Sequence, residues 1–352
     1  MIHQYNQRLE KIEAVLRTYL PGMPDAAWGE SVFSLDPETL APELMAPLTM
    51  PGYDLVQCGG KRWRPLLMTL VCESMGGGER SLPLTPLVEF AHNASLIHDD
   101  IEDNSDERRG QPATHIRYGI DTAINSGAFL YFLPLACVTD WDATPEQKGM
   151  VYQLWGESMR RLHLGQSIDI TWHRDPACVP SLEHYDLMCR LKTGSLAWLA
   201  VALGLVAALT SSEKRTPLIK KWGQAAEKLG MGFQILDDVK NLTTGNPGKR
   251  RGDDVVEGKK SLPVLLYLHE RPEQGEWFSS CFAEARKAGI DAPLVNELID
   301  RLAESGVLTK AEARGRTLIN EAREAFSGIQ RNSGEMYGEL SRLFDFIGGA
   351  YA

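Results

Sequence analysis

The sequence predicts an all-α protein, and three observations carry that reading. From Lys61 to about Leu268 apolar residues recur at the three- and four-residue spacing of amphipathic helices. The alternation that marks half-buried strands is nearly absent, and no low-complexity linker or repeat of roughly 20–50 residues interrupts the chain. With 352 residues and 43% apolar content, the chain can bury a large core. One domain is the economical reading, with residues 1–52 an N-terminal helix and extension packed on a core of residues 53–352.

Taken in order, residues 6–19 set Leu9, Ile12, Val15, Leu16 and Tyr19 at helical spacing and close at Pro21-Gly22. Residues 20–52 are rich in Pro, Ala and Gly, with a short helical patch near 37–46 and no motif. Helices are expected at 62–75, 83–104, 118–138, 145–171, 182–191, 193–209, 216–242 and 260–268. From about residue 290 the tail continues as helices, with Leu294, Leu298, Ile299 and Leu302 on one face and Ala311, Ala313, Leu318, Ile319, Ala322 and Phe326 on another.

Composition excludes several classes. A net charge of −10 without a long basic stripe argues against a nucleic-acid partner. The six cysteines form no C-x-x-C pair, so neither a zinc site nor a disulfide framework is indicated, and a reducing cytoplasm fits. The polar first residues lack the apolar core of a signal peptide. The longest apolar run, Leu196 to Leu209, is shorter than the roughly 20 residues of a membrane span and reads as a buried helix. No stable membrane insertion is expected.

Two acidic stretches carry the chemistry: Asp99-Asp100-Ile101-Glu102-Asp103 and Asp237-Asp238-Val239-Lys240-Asn241. At roughly 3.6 residues per turn, the first and last members of each share a helix face, so each can aim hard oxygen ligands at one point. Two such faces opposed across a bundle would hold Mg²⁺ and a diphosphate; either stretch alone reads more readily as a solvated acidic face. Gly59-Gly60-Lys61-Arg62-Trp63-Arg64 places Lys61 and Arg64 on one side of a helix start, an anion site in principle. His92 lies two turns before Asp99, Arg108-Arg109 follows Asp103, and Lys192-Thr193, Phe233-Gln234, Gly248-Lys249 and Gly258-Lys259 lie downstream. His98-Asp99 also occurs in metal phosphohydrolases, but no further paired His and Asp sites accompany it. The segment from Gly252 to Ser261 fails as a phosphate-binding P-loop, because its glycines are spaced too widely and Lys260 stands where Ser or Thr should follow.

In order along the chain, GGKRWRP, HNASLIHDDIEDNSDERRG, GQSIDITW, LKTG, FQILDDVKN and GDDVVEGKKSLP resemble the motifs of the trans-isoprenyl diphosphate synthases, the polyprenyl synthetase family. The resemblance runs from about residue 54 to 270, and its wording is most like geranylgeranyl diphosphate synthases. It implies an all-α, isoprenoid-synthase-type bundle around a deep central cavity, assembled as a homodimer. The implied reaction condenses isopentenyl diphosphate with an allylic diphosphate. By that resemblance Asp99 and Asp103 hold two Mg²⁺ ions and Asp237 a third, with Asp100 and Asp238 in support. Arg108, Lys192, Lys249 and Lys259 hold the allylic diphosphate, while Lys61, Arg64, His92 and Arg109 bind isopentenyl diphosphate. Thr193 and Gln234 flank the developing cation. Asn241 replaces the Asp of many members; its amide carbonyl is expected to serve as a ligand.

Chain length should follow from what plugs the cavity beneath Asp99. Ala94 and Ser95, about one helical turn deeper, are small, which disfavours a stop at C15. Tyr131-Phe132 align with the bulky pair that closes the cavity in similar geranylgeranyl synthases, and His163 matches a third floor residue, so a C20 product is expected. Farnesyl or longer products are the nearest alternatives. A terpene cyclase would have no use for Lys61, Arg64 and His92, and a non-catalytic partner subunit would be expected to have lost its acidic motifs.

Overall fold

The computed structural model describes residues 2–245, 250–327 and 334–349. It is helical almost throughout, in agreement with the fold class read from the sequence. In chain order the helices are α1 (Ile2–Tyr19), α2 (Ala26–Phe33), α3 (Pro42–Gln57), α4 (Trp63–Ser74), α5 (Thr85–Glu102), α6 (Thr114–Tyr118), α7 (Ile120–Phe132), α8 (Ala136–Asp140) and α9 (Pro145–Arg174). They continue as α10 (Leu182–Cys189), α11 (Ser195–Ala208), α12 (Ser212–Thr243), α13 (Asp253–Glu257), α14 (Leu262–Glu270), α15 (Gly275–Ala288), α16 (Pro293–Glu304), α17 (Val307–Phe326) and α18 (Gly334–Gly349). The strands β1 (Glu107–Arg108) and β2 (Gln111–Pro112) pair antiparallel in a small hairpin.

The chain groups into two compact units. The first comprises Met1–Gly156, Leu199–Lys220 and Ile329–Leu340, and the second Glu157–Trp198, Lys221–Gly328 and Ser341–Ala352.

In the first unit, α4 and α5 are buried nearly all round, with Leu66, Leu67, Met68, Leu87, Val88 and Phe90 fully inside. Neighbouring helices reach them through small residues. A Cβ at Gly204 of α11 would lie 2.6 Å from the Met68 carbonyl, and one at Gly127 of α7 would lie 3.0 Å from the His98 ring. Residues 20–52, where only a short helical patch near 37–46 was expected, carry α2 and most of α3. Asp25 caps α2 by accepting the Trp28 N–H at 2.8 Å, and Phe33 stacks on Phe129 of α7. Helix α3 forms despite Pro47 and Pro51 in its interior, a pair that argues against a helix on local propensity alone. It packs on α7, where Gly52 faces Leu130. The single helix expected over 118–138 breaks at Leu133–Leu135, because Pro134 cannot donate to the ladder.

In the second unit, one apolar cluster gathers Phe278, Phe282, Leu298, Leu302 and Val307, and another gathers Tyr185, Cys189, Ile235, Leu262 and Leu265. Ser181 caps α10, accepting the His184 N–H at 3.2 Å. Between α10 and α11 the chain does not stop as the sequence suggests. A π-turn over Arg190–Gly194 joins them into one stretch. That makes the apolar helical segment Leu182–Ala208 long enough to cross a membrane by length and composition, as is Ile120–Asp140. The most apolar 18 residues of the first are 83% buried, and it reads as a core helix; those of the second are 44% buried.

Candidate active site

The first unit gathers the basic residues and the first acidic motif around α4, α5 and the β1–β2 hairpin. Helix α5 carries His92, Ala94, Ser95, Asp99 and Asp100, and Asp103 caps its end, donating its N–H to the Asp99 carbonyl at 2.8 Å. Asp99 and Asp103 are partly exposed, whereas Asp100 is fully buried. Arg108 explains that burial. Its Nε donates to Asp100 Oδ1 at 2.9 Å, its Nη2 pairs with the same carboxylate, and Nη2 lies 3.9 Å from Asp99 Oδ2.

Arg109 turns the other way. It adopts a left-handed backbone (φ 55°), followed by Gly110 (φ 73°), so its side chain leaves the hairpin toward α3 and α5. Its Nη1 donates to the Leu55 carbonyl at 2.9 Å and to Asn93 Oδ1 at 3.2 Å. Arg64 is buried at the start of α4, stacked 4.4 Å over the Trp63 ring, and Lys61 lies half-buried just ahead of it. Burial, and then the charges of Arg64, Arg109, Arg62 and Arg108, hold the His92 imidazole well below its ordinary pKa. This neighbourhood is a neutral imidazole among guanidinium groups, suited to an anion.

The second unit gathers its own candidate residues on α9, the π-turn and α12. Close approach demands glycine here: a Cβ at Gly165 would lie 2.3 Å from the Lys192 nitrogen, and one at Gly230 would lie 2.8 Å from Gly194. The turn so clamped presents Lys192 and Thr193. Lys192 Nζ is held by Asp169 Oδ2 at 2.6 Å, and Asp169 is itself buried. Thr193 Oγ1 donates to Gln234 Oε1 at 2.9 Å, and Gln234 Nε2 donates to Asp238 Oδ1 at 2.9 Å. Tyr185 Oη adds a bond to Asp238 Oδ2 at 2.9 Å, and the Leu262 N–H reaches the same oxygen at 3.4 Å. Asp238 is thus a buried node, its carboxyl pushed up to about 7 by burial and then by Asp254. Asp237 is partly exposed. Lys259 follows Gly258 (φ 80°) and pairs with Glu257 at 2.6 Å.

Several expectations are corrected. Asn241 is fully buried, and its Oδ1 accepts the Asp254 N–H at 3.2 Å, so in this structure it shapes a turn and offers no carbonyl to a metal. Tyr131 is buried and stacks on His98, with ring centroids 5.8 Å apart. Phe132, expected beside it, is 68% exposed, because consecutive helical residues point about 100° apart. His163 is also exposed, its Nδ1 against the Met159 carbonyl at 2.8 Å, so neither lines the interior of this chain. Lys249 lies outside the described residues. Sequence reasoning missed Asp169, Tyr185, Glu89 and Asn93. Their positions inside the motif helices were visible, but their partners come from distant segments.

Helix-mounted carboxylates beside helix-mounted cations suit chemistry on diphosphate esters. The family model for polyprenyl synthetase matches residues 46–297. The chain is 33% identical over 306 residues to a geranylfarnesyl diphosphate synthase of Aeropyrum pernix, covering 83% of this chain and 91% of that one. It is 35% identical over 269 residues to a chloroplastic geranylgeranyl pyrophosphate synthase of Arabidopsis thaliana, covering 72% and 73%. A polyprenyl synthase from Caulobacter crescentus, solved with calcium and isoprenyl diphosphate, shares the fold with a TM-score of 0.81 over 100% of this chain and 97% of that one, at 22% identity. The chain therefore belongs to the polyprenyl synthetase family and is a trans-prenyltransferase that elongates isoprenyl diphosphates.

Proposed function

We propose that this chain condenses isopentenyl diphosphate with dimethylallyl, geranyl or farnesyl diphosphate to give all-trans geranylgeranyl diphosphate. The observation that carries the reading is the divergence of Arg108 and Arg109. Arg108 turns to the Asp99-Asp100 carboxylates, and Arg109 turns to the basic neighbourhood of Arg64 and His92. An elongase needs two diphosphate sites of this kind, one with acidic groups for metal and one in which cations and a neutral imidazole receive the anion directly.

On this reading, Lys61, Arg64, His92 and Arg109 bind isopentenyl diphosphate. Arg108, Lys192, Lys249 and Lys259 bind the allylic diphosphate. Asp99, Asp103 and Asp237 would hold three Mg²⁺ ions. Among the described residues no three His, Cys, Asp or Glu converge as a metal cage. That donor set suits Mg²⁺, which takes one or two carboxylates and completes its shell with substrate phosphates and water. When bound, the metal would neutralise charge on the departing pyrophosphate.

The chain's own residues do the rest. Asp100 fixes the Arg108 fork and Asp169 fixes Lys192, so both donors are aimed before substrate arrives. Losing one such aimed donor typically costs about 2.7–4 kcal/mol of barrier. Thr193 commits its proton to Gln234, which leaves its lone pairs for the allylic cation formed as the C–O bond breaks. The alkene of isopentenyl diphosphate closes the new C–C bond, and the proton it sheds passes to pyrophosphate. Apolar helix walls keep water from the cation.

Small Ala94 and Ser95 before Asp99 let the tail pass, and buried Tyr131 against His98 supports a stop near C20. A C25 product is the second reading, favoured by the outward Phe132 and by the geranylfarnesyl relative. Exposed Ile120, Ile124 and Phe132 on α7 support a homodimer through that face. We place the enzyme in the cytoplasm. Omitting isopentenyl diphosphate, the allylic partner or Mg²⁺ in turn should each abolish product; turnover of an allylic diphosphate alone would point to a cyclase or a hydrolase.

A further inference from the structure

We infer that Asn93 is a positioning residue for Arg109, the inner end of a relay that begins at Glu13 on the N-terminal helix. The relay is continuous within the first unit. Arg62 Nε donates to Glu13 Oε1 at 2.7 Å, and Arg62 Nη1 donates to Glu89 Oε1 at 2.7 Å. Asn93 Nδ2 donates to the Glu89 carbonyl at 2.7 Å and to Glu89 Oε1 at 3.1 Å. Asn93 Oδ1 then accepts Arg109 Nη1 at 3.2 Å. Arg62, Glu89 and Asn93 are all buried, and Arg62 holds a left-handed backbone (φ 46°) to make its contacts.

The chemistry of the partners leaves the Asn93 amide one orientation. A carboxylate accepts only and a guanidinium donates only, so the NH₂ must face Glu89 and the oxygen must face Arg109. No other side chain of this length supplies one donor and one acceptor in that arrangement. Aspartate would set a second carboxylate against Glu89, and leucine would strip one partner from each of them, leaving Arg109 only the Leu55 carbonyl and Glu89 only Arg62 among these contacts. The Leu55 carbonyl at the end of α3 is the second anchor of Arg109, and Arg62 Nη2 donates to the adjacent Val56 carbonyl at 2.6 Å. Helix α3 and helix α1 thus set the direction of the same guanidinium.

The inference rests on Arg109 binding isopentenyl diphosphate, so the experiment separates the two. Steady-state kinetics with each substrate varied are compared for Arg109→Gln, Asn93→Leu, Glu13→Gln and the double variant Arg109→Gln/Asn93→Leu. Arg8→Gln serves as a control, because it loosens α1 at Glu73 without touching the relay. Arg109→Gln and Asn93→Leu are each expected to raise KM for isopentenyl diphosphate about tenfold. The allylic KM should stay within about twofold, and the double variant should be no worse than Arg109→Gln alone. Glu13→Gln, at the half-exposed outer end, is expected to raise the same KM about threefold, while Arg8→Gln lowers only the melting temperature. Parallel rises in both KM values for Asn93→Leu, or full additivity with Arg109→Gln, overturn the relay. If Asn93→Leu does not fold, an unchanged KM in Glu13→Gln overturns it. An unchanged isopentenyl KM in Arg109→Gln would instead sink the assignment of Arg109 itself.

Discussion

Asn241 Oδ1 accepts the backbone N–H of Asp254 at 3.2 Å, while its Nδ2 faces the Arg250 carbonyl at 3.4 Å. The last position of the second acidic motif is thereby spent on the turn that leads to Lys259. An aspartate there would keep the acceptor, lose the donor and add a buried negative charge near Asp238 and Asp254. Asn241→Asp should therefore lose about 1–3 kcal/mol of stability and leave the Mg²⁺ concentration for half-maximal rate unchanged. A lower Mg²⁺ requirement at an unchanged melting temperature would make position 241 a metal position.

Exposed and buried acids of the two motifs should behave differently. Asp99→Ala and Asp237→Ala remove partly exposed carboxylates, so turnover should fall by roughly 10²–10³-fold or more while the melting temperature holds. Asp100→Ala and Asp238→Ala strip partners from Arg108 and from Tyr185 and Gln234, so stability should fall together with rate. Near-normal turnover in Asp99→Ala would refute its metal role.

Within the Tyr131-Phe132 pair, only Tyr131 faces inward. Tyr131→Ala should shift the product toward longer chains, and Phe132→Ala should leave the product distribution unchanged. A longer product from Phe132→Ala alone would mean that the exposed ring forms part of the wall in an assembled dimer.

His92 should make the unliganded protein acid-sensitive. Its folded pKa is depressed, by burial first and then by the surrounding arginines, so below about pH 6.5 the unfolded chain takes up a proton that the folded chain refuses. Folding stability from this residue is full at higher pH and is lost as pH falls through that value. His92→Gln should therefore lose less melting temperature between about pH 8 and about pH 5.5 than the parent chain. Equal losses would mean that the imidazole is not held neutral.

Much of the fold was legible because helical periodicity is a local signal. Between α4 and α14 the longer helices follow it closely, apart from the break at Pro134 and the π-turn after Cys189, whereas the five-residue α6 and α13 were not anticipated. Helix α3 was not legible, since Pro47 and Pro51 oppose it locally and packing on α7 overrides them. The motif residues were readable in the same way, as spacing on a helix. The opposite directions of Arg108 and Arg109 were not, because they follow from the two left-handed residues, Arg109 and Gly110, that turn the hairpin. Asp169, Tyr185 and Asn93 escaped notice for a related reason: each acts through a partner that only the tertiary fold brings near.

The most direct test of the account is the chain length of the product, measured by mass spectrometry. Purified protein would be given Mg²⁺, labelled isopentenyl diphosphate and each of the three allylic starters in turn. A dominant C20 diphosphate from all three is the result predicted. A dominant C25 or longer product would contradict the Tyr131 stop, and no product from any starter would contradict the elongase itself.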